Sequence, residues 1–362
     1  MKSLKNEMQQ QTADTLGEAG SWFPENLALI KNRLKTIAEG NAAIKPVAVF
    51  DFDNTCVFRD VGQAVFRLQL INLQYRISPD HLAGLLPSHQ STIGGKPLDA
   101  VIATLMHAYR QLWPLIVDKK HQEARLLPEY RLFTTLLLWF TDQARKDERL
   151  GPRYVLPFMG KLLAGYSVPE LRQFAAEVVT TVMTEPLVKE TLTTLAPEPL
   201  GRIEATYLAG LHPHPEMTAL MQMLQDRGIA CYVVSASTEW LVEEAAQVLG
   251  FPVPVDHIFG IRVGLDSQDR LTTQDPASYP ITFREGKAEI IRQCIDGTPV
   301  LVAGDADTDF EMLTLPNVPL RLLINRQQNG LISTLYQDPR ILLQGLDLRT
   351  GRFRPFRESL DS

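Results

Sequence analysis

The sequence predicts an α/β protein with a parallel-sheet core and an inserted helical domain. Three observations carry this. First, short apolar runs rich in β-branched residues recur at "PVAVFDFD" (Pro46–Asp53), "IACYVVSAS" (Ile229–Ser237) and "PVLVAGDAD" (Pro299–Asp307). Each ends in polar or small residues, as strands covered on both faces do when they run into loops. Second, helical patterns precede two of these runs, which implies βαβ units with right-handed crossovers. Third, strand signals are scarce between Val61 and Leu211, where one helical pattern follows another.

In chain order, a short Gln-rich start leads into an N-terminal helical extension over residues 1–45. The first strand follows, and residues 62–211 form the insert. Its helical patterns are "QAVFRLQLINLQYRI", "PLDAVIATLMHAYRQLW", "YRLFTTLLLWFTDQARK" and "VPELRQFAAEVVTTVM". The core is therefore discontinuous, built from residues 46–61 and 212–340. In its second part "PEMTALMQMLQDRG" begins with Pro-Glu and stops at Gly, as helices often do. "REGKAEIIRQCIDG" also stops at Gly. "HIFGIRVGLDSQDRLTTQ" (His257–Gln274) alternates and then turns, like a small hairpin flap. "PLRLLIN" (Pro319–Asn325) is a weaker strand candidate, and residues 341–362 read as a peripheral tail.

The bulk numbers fit this architecture. The chain has 362 residues, 45% hydrophobic and 22% charged, enough for two domains with a sizeable core. With 36 basic against 42 acidic residues the net charge is −6, which gives no general electrostatic reason to expect nucleic-acid binding. Cys56, Cys231 and Cys294 are sparse and show no C-x-x-C spacing, which argues against a disulfide framework or a zinc site. The longest apolar run, "LLLWF" at Leu136–Phe140, is far short of a membrane span, and the start has no apolar core of a secretory signal. A cytoplasmic protein that handles small molecules, with neither nucleic acid nor membrane as partner, is expected.

In an open parallel sheet, ligands bind outside the carboxyl ends of the strands. The three strand ends would bring Asp51, Asp53, Ser235, Asp305 and Asp309 to one place. Carboxylates gathered in a pocket repel one another unless a cation holds them. No His or Cys accompanies them, so the cation is expected to be hard. Mg²⁺ fits, with Asp51 and Asp305 as direct ligands. A carboxylate also serves as a nucleophile that forms an aspartyl-phosphate, and Asp51 is placed for that. Asp53 would protonate the leaving oxygen and then activate water. Ser235 and Lys287 would supply donors for the phosphate oxygens. Taken singly, each feature has an ordinary reading: a loop D-x-D pair, a helix-initiating turn, a capping serine, a surface lysine. Their order and strand context favour a site.

These motifs resemble those of the haloacid dehalogenase-like superfamily, in its Mg²⁺-dependent phosphatase branch. Its D-x-D-x-T is matched by "DFDNT" (Asp51–Thr55). Its motif Ser or Thr is matched by Ser235, its Lys by Lys287 in "GKAEII", and its G-D-x-x-x-D by Gly304–Asp309. The resemblance covers the core and is weak in the insert. It implies a Rossmann-like fold with a helical cap, Asp51 as nucleophile and Asp53 as general acid/base. It also implies Mg²⁺ held by the Asp51 side chain, the Asp53 backbone carbonyl and Asp305, with Asp309 orienting Lys287 and Thr55 supporting the motif. Within the superfamily the chain is similar to the phosphoserine and phosphorylcholine phosphatases. Asp60 falls where the phosphoserine group carries a substrate-binding Glu, and equally where a helix N-cap would sit.

The expected activity is hydrolysis of a small phosphomonoester, with an amine-bearing one such as phosphoserine or phosphocholine favoured. A phosphotransferase shares every motif, and a sugar or other small-molecule phosphatase is the remaining alternative. Loss of halide through a single metal-free Asp is disfavoured by Asp53 and the "GDADTD" acids, and a non-catalytic binding protein by the intact motif set. Tyr109, Trp113, Trp139, Tyr154 and Tyr166 suggest either a cation–π cage or ordinary helix core, core being the commoner role at that spacing. His212 and His214 read as a hinge loop in preference to a metal site.

Overall fold

A computed structural model describes residues 20–38, 45–88 and 91–361. The Gln-rich start, and the part of the N-terminal extension before Gly20, lie outside the described residues. Contacts divide the chain into two compact units. One comprises the described residues of Met1–Asp60, Leu211–Gly260 and Pro280–Ser362, the other those of Val61–Gly210 and Ile261–Tyr279.

The first unit is organised by a seven-stranded sheet of β1 (Pro46–Phe50), β2 (Ala230–Thr238), β3 (Ile258–Ile261), β4 (Thr298–Gly304), β5 (Leu320–Asn325), β6 (Leu342–Asp347) and β7 (Arg352–Phe353). The spatial order is β7-β6-β5-β4-β1-β2-β3. β1 pairs in parallel with β4 on one side and β2 on the other, β4 with β5, and β5 with β6; β7 closes the edge antiparallel. Val47, Ala48, Val49 and Phe50 are all fully buried. This is why a continuous apolar run, not an alternating one, encodes this strand. Each large side chain there contributes on the order of 2 kcal/mol of burial. The register sets the levels of the loops. Phe50 lies opposite Val233 of β2 and Ala303 of β4, and Gly304 lies opposite Leu323 of β5. Parallel pairing therefore brings the residues after Phe50, Val233 and Gly304 to the same edge.

Residues 341–362 are not a peripheral tail. β6 and β7 complete the sheet, and Phe353 is buried against Trp22 at a ring separation of 5.2 Å. The N-terminal segment is tied in beside them: Phe23 N donates to Gln344 Oε1 at 2.9 Å, and Asn26 Nδ2 to Leu343 O at 2.9 Å. The fully buried Gln344 interrupts the apolar pattern of β6, so the strand is hard to read from sequence.

The second unit packs the helices Leu98–Val117 and Pro128–Lys146 around a core that includes Tyr109, Phe133, Leu137 and Phe140. It also contains a nine-residue antiparallel hairpin, Val188–Ala196 with Gly201–Ala209, where only helices were expected. Its first strand, "VKETLTTLA", is mostly exposed and threonine-rich, so it lacks the apolar signature of a buried strand. The flap at His257–Gln274 was expected to belong to the core. Its turn does form, with Thr272 N donating to Gly264 O at 2.8 Å, but residues 261–279 belong to the helical unit. There Gly165 N donates to Leu271 O and Leu271 N to Tyr166 O, each at 2.8 Å.

The aromatics suggested for a cage are largely core. Tyr109 is fully buried and its hydroxyl donates to Ile77 O at 2.6 Å; Tyr154 donates to Leu85 O and Tyr166 to Gln74 O. No helix among the described residues is long and apolar enough to cross a membrane.

Candidate active site

The sheet edge collects the acidic residues. Asp51 leaves β1 with its amide N donating to Ala303 O at 2.9 Å. Asp305 follows β4 directly. Carboxylate oxygens of Asp51, Asp305 and Asp309 all lie within 4.8 Å of one another, and all three residues are buried. Thr55 joins two of them: its hydroxyl reaches Asp51 Oδ2 at 3.3 Å and Asp305 Oδ1 at 3.1 Å.

Lys287 is fully buried and stands between two of these acids, its Nζ 2.5 Å from Asp51 Oδ1 and 2.6 Å from Asp309 Oδ1. It lies in the first turn of the helix Glu285–Cys294. A glycine must precede it, because a Cβ at Gly286 would fall 1.8 Å from Ile281 O. Gly304 has a parallel role: a Cβ there would strike the Asp309 side chain at 2.6 Å. Asp309 in turn organises the loop. Its Oδ2 accepts the backbone N–H groups of Asp305 and Ala306 at 2.9 and 3.2 Å, while Oδ1 also accepts the Thr308 hydroxyl. The spacing G-D-x-x-x-D thus lets the second acid fold back over the first.

Asp53 faces β2. Its Oδ2 accepts the Ser237 hydroxyl at 2.6 Å and the Ser235 hydroxyl at 3.3 Å, and Ser237 N donates to Ser235 Oγ at 3.0 Å. Ser235 does not end its strand, since β2 continues to Thr238. Asp60 is partly buried and immediately precedes the helix Val61–Ile71.

Burial, and then the charge of Asp309, push the Asp51 carboxyl well above the usual carboxylate range, against the pull of Lys287. Burial raises Asp305 too, while Arg326 pulls it down. Burial works against the charge on Lys287, but Asp309 and Asp51 outweigh it and hold the ammonium protonated. The Cys56 thiol, which donates to Asp51 O at 3.1 Å, is pushed up by burial and stays an inert neighbour.

Two participants were missed in the sequence. Ser237 lies two residues past Ser235, on the same face of the strand, so period-two spacing could have found it. Arg326 follows β5, and its Nη1 donates to Asp305 Oδ2 at 2.6 Å; nothing in "LLINRQQ" marks it.

The donor set is oxygen-only, buried and rich in carboxylate, which fits a hard divalent cation such as Mg²⁺. Asp51 and Asp305 would hold it. Asp309 is less suited, because its two oxygens accept four bonds, from Lys287, Thr308 and two loop amides, whereas those of Asp305 accept only the Thr55 hydroxyl and Arg326. His212 and His214 take no part: His212 pairs with Phe58 in a two-residue strand, and His214 is buried against Phe353.

Comparison with solved structures shows the same fold in a conserved protein of unknown function from Anaerococcus prevotii DSM 20548. It is 24% identical with a TM-score of 0.83, covering 95% of this chain and 98% of that one. Looser similarities are to a protein of unknown function from Bordetella pertussis Tohama I (14% identity, TM-score 0.46, 81% and 95% covered) and to a phosphoserine phosphohydrolase-like protein from Francisella tularensis subsp. tularensis SCHU S4 (14%, 0.35, 77% and 87%). No curated protein matches the sequence. The model of the haloacid dehalogenase-like hydrolase family matches residues 119–314, which include Ser235, Lys287, Asp305 and Asp309. With just over half of its length matched, the chain belongs to the haloacid dehalogenase-like hydrolase family.

Proposed function

We propose that the protein is a Mg²⁺-dependent phosphatase that hydrolyses a small phosphomonoester through an aspartyl-phosphate on Asp51. The observation that carries this reading is the buried Lys287 ammonium bonded to both Asp51 and Asp309, beside Asp305 and Thr55. Such a cluster holds one carboxylate in place for attack, and a bound cation would favour the anionic form that burial disfavours.

In the first half-reaction an Asp51 oxygen bonds to phosphorus as the bond to the leaving oxygen breaks, and Asp53 gives that oxygen a proton. In the second, Asp53 takes a proton from water as the water attacks phosphorus, which releases phosphate and frees Asp51. Ser235 and Lys287 bind phosphate oxygens; Ser237 fixes the Asp53 carboxyl between two hydroxyls. Asp309 positions Lys287. When bound, Mg²⁺ supplies positive charge that offsets the repulsion between the carboxylate and the phosphate.

Hydrolysis of a generic aryl phosphate should require Mg²⁺, stop in EDTA and fall to background in Asp51→Asn. Robust turnover by Asp51→Asn contradicts the mechanism. An amine-bearing substrate such as phosphoserine or phosphocholine is the finer reading, supported by the position of Asp60 just before the helix Val61–Ile71. Asp60→Ala should then raise KM for the amine-bearing ester more than for the aryl phosphate. Equal effects would make Asp60 structural.

A further inference from the structure

Asp305 has a partner that neither its motif nor the mechanism requires. One of its oxygens, Oδ1, accepts the Thr55 hydroxyl; the other, Oδ2, accepts Arg326 Nη1 at 2.6 Å. The Asp305 side chain is 3% exposed and that of Arg326 25%. The carboxylate is thus sealed in, while the guanidinium keeps a route to solvent. We infer that Arg326 is a resident counter-ion of Asp305 that competes with the divalent cation for this carboxylate. The inference rests on the metal reading above and adds to it a residue that sets how tightly the metal is held.

The physics runs in two directions. A buried carboxylate close to Asp51 and Asp309 is costly without a countercharge. Lys287 is already committed to those two acids, which leaves Arg326 to neutralise Asp305 before metal binds. Once a divalent cation sits on Asp305, the guanidinium becomes a like charge a few ångströms away and opposes it. Both Asp305 oxygens accept bonds, so the cation must displace or share a bond that already exists. The ladder makes the pairing possible: Gly304 lies opposite Leu323, so Asp305 and Arg326 emerge just past the ends of adjacent strands.

The test is magnesium binding by the full-length protein without substrate. Titration calorimetry with MgCl₂ gives Kd for wild type, Arg326→Gln and Arg326→Lys, and melting in EDTA and in excess MgCl₂ gives the linked stability. Arg326→Gln should bind Mg²⁺ about tenfold more tightly. It should melt lower than wild type in EDTA and gain more from the metal. Arg326→Lys keeps the charge and should stay near wild type; Arg326→Met, a second neutral variant, should tighten Mg²⁺ binding as the glutamine does and carries the comparison should that one fail to fold. Weaker or unchanged Mg²⁺ affinity in Arg326→Gln overturns the inference, because it would make Arg326 an orienting group or a contact for substrate. Absence of Mg²⁺ binding by wild type overturns the metal reading itself, and this inference with it.

Discussion

In the helical unit, the phenols of the buried Tyr109 and Tyr166 and of the partly buried Tyr154 each end on a backbone carbonyl. In the sheet unit, the carboxylates of Asp51, Asp305 and Asp309 are packed within 4.8 Å of one another and raised or bridged by their neighbours. Both regions bury polar atoms, but the first pairs them locally and neutrally, whereas the second gathers three carboxylates against two cations. Stability alone explains the first arrangement. The second is expensive and makes physical sense where a cation or a substrate is to be held.

The largest expected effect that sharpens this contrast is at Lys287. Lys287→Ala leaves Asp51 and Asp309 facing each other without their shared ammonium. It should cost about 3–5 kcal/mol, read as a lower denaturation midpoint, along with turnover. A near-neutral midpoint would mean that the acids are protonated or solvated, and the charge-concentration argument would fail.

The next effect is acid sensitivity at His214. Burial, and then His212, lower its pKa to about 3. The folded protein therefore keeps this imidazole neutral, while the unfolded chain takes up a proton below about pH 6.5. Stability from this group is full above that pH and is lost as pH falls from about 6.5 toward 3. At pH 4 the loss should be about 3 kcal/mol. Denaturation midpoints of His214→Asn against pH should be flatter over this window. A parallel pair of curves would show that His214 titrates normally.

The smallest effects test the neutral side of the comparison. Tyr109→Phe removes the bond to Ile77 O and should cost about 1 kcal/mol. Tyr75 lies edge-on to Tyr109 and Phe133, and its buried hydroxyl has no partner among the described residues. Tyr75→Phe should therefore be neutral or slightly stabilising. If both variants lose the same amount, hydroxyl pairing does not distinguish the two sites.

The same contrast explains what the sequence revealed. β1, β2 and β4 were legible because strands buried on both faces need unbroken apolar runs, and the segments after β1 and β4 carry acids at fixed spacing. The hairpin at 188–209 was not, because its first strand is exposed and reads as a polar segment. β6 hid behind Gln344, whose side chain bonds backbone within the unit. Asp51, Asp305 and Lys287 were found through motif order. Arg326 was not, because its role comes from strand adjacency across the sheet and from no local pattern.

The most direct test of the central claim is to trap the enzyme during turnover. The wild type would be acid-quenched while it hydrolyses an aryl phosphate in Mg²⁺, digested, and its peptides weighed. A single phosphoryl group on the peptide carrying Asp51, absent in EDTA, is the predicted result. Sustained turnover with no phosphorylated Asp51 peptide at any quench time, or a phosphoryl group on another residue, would contradict the account.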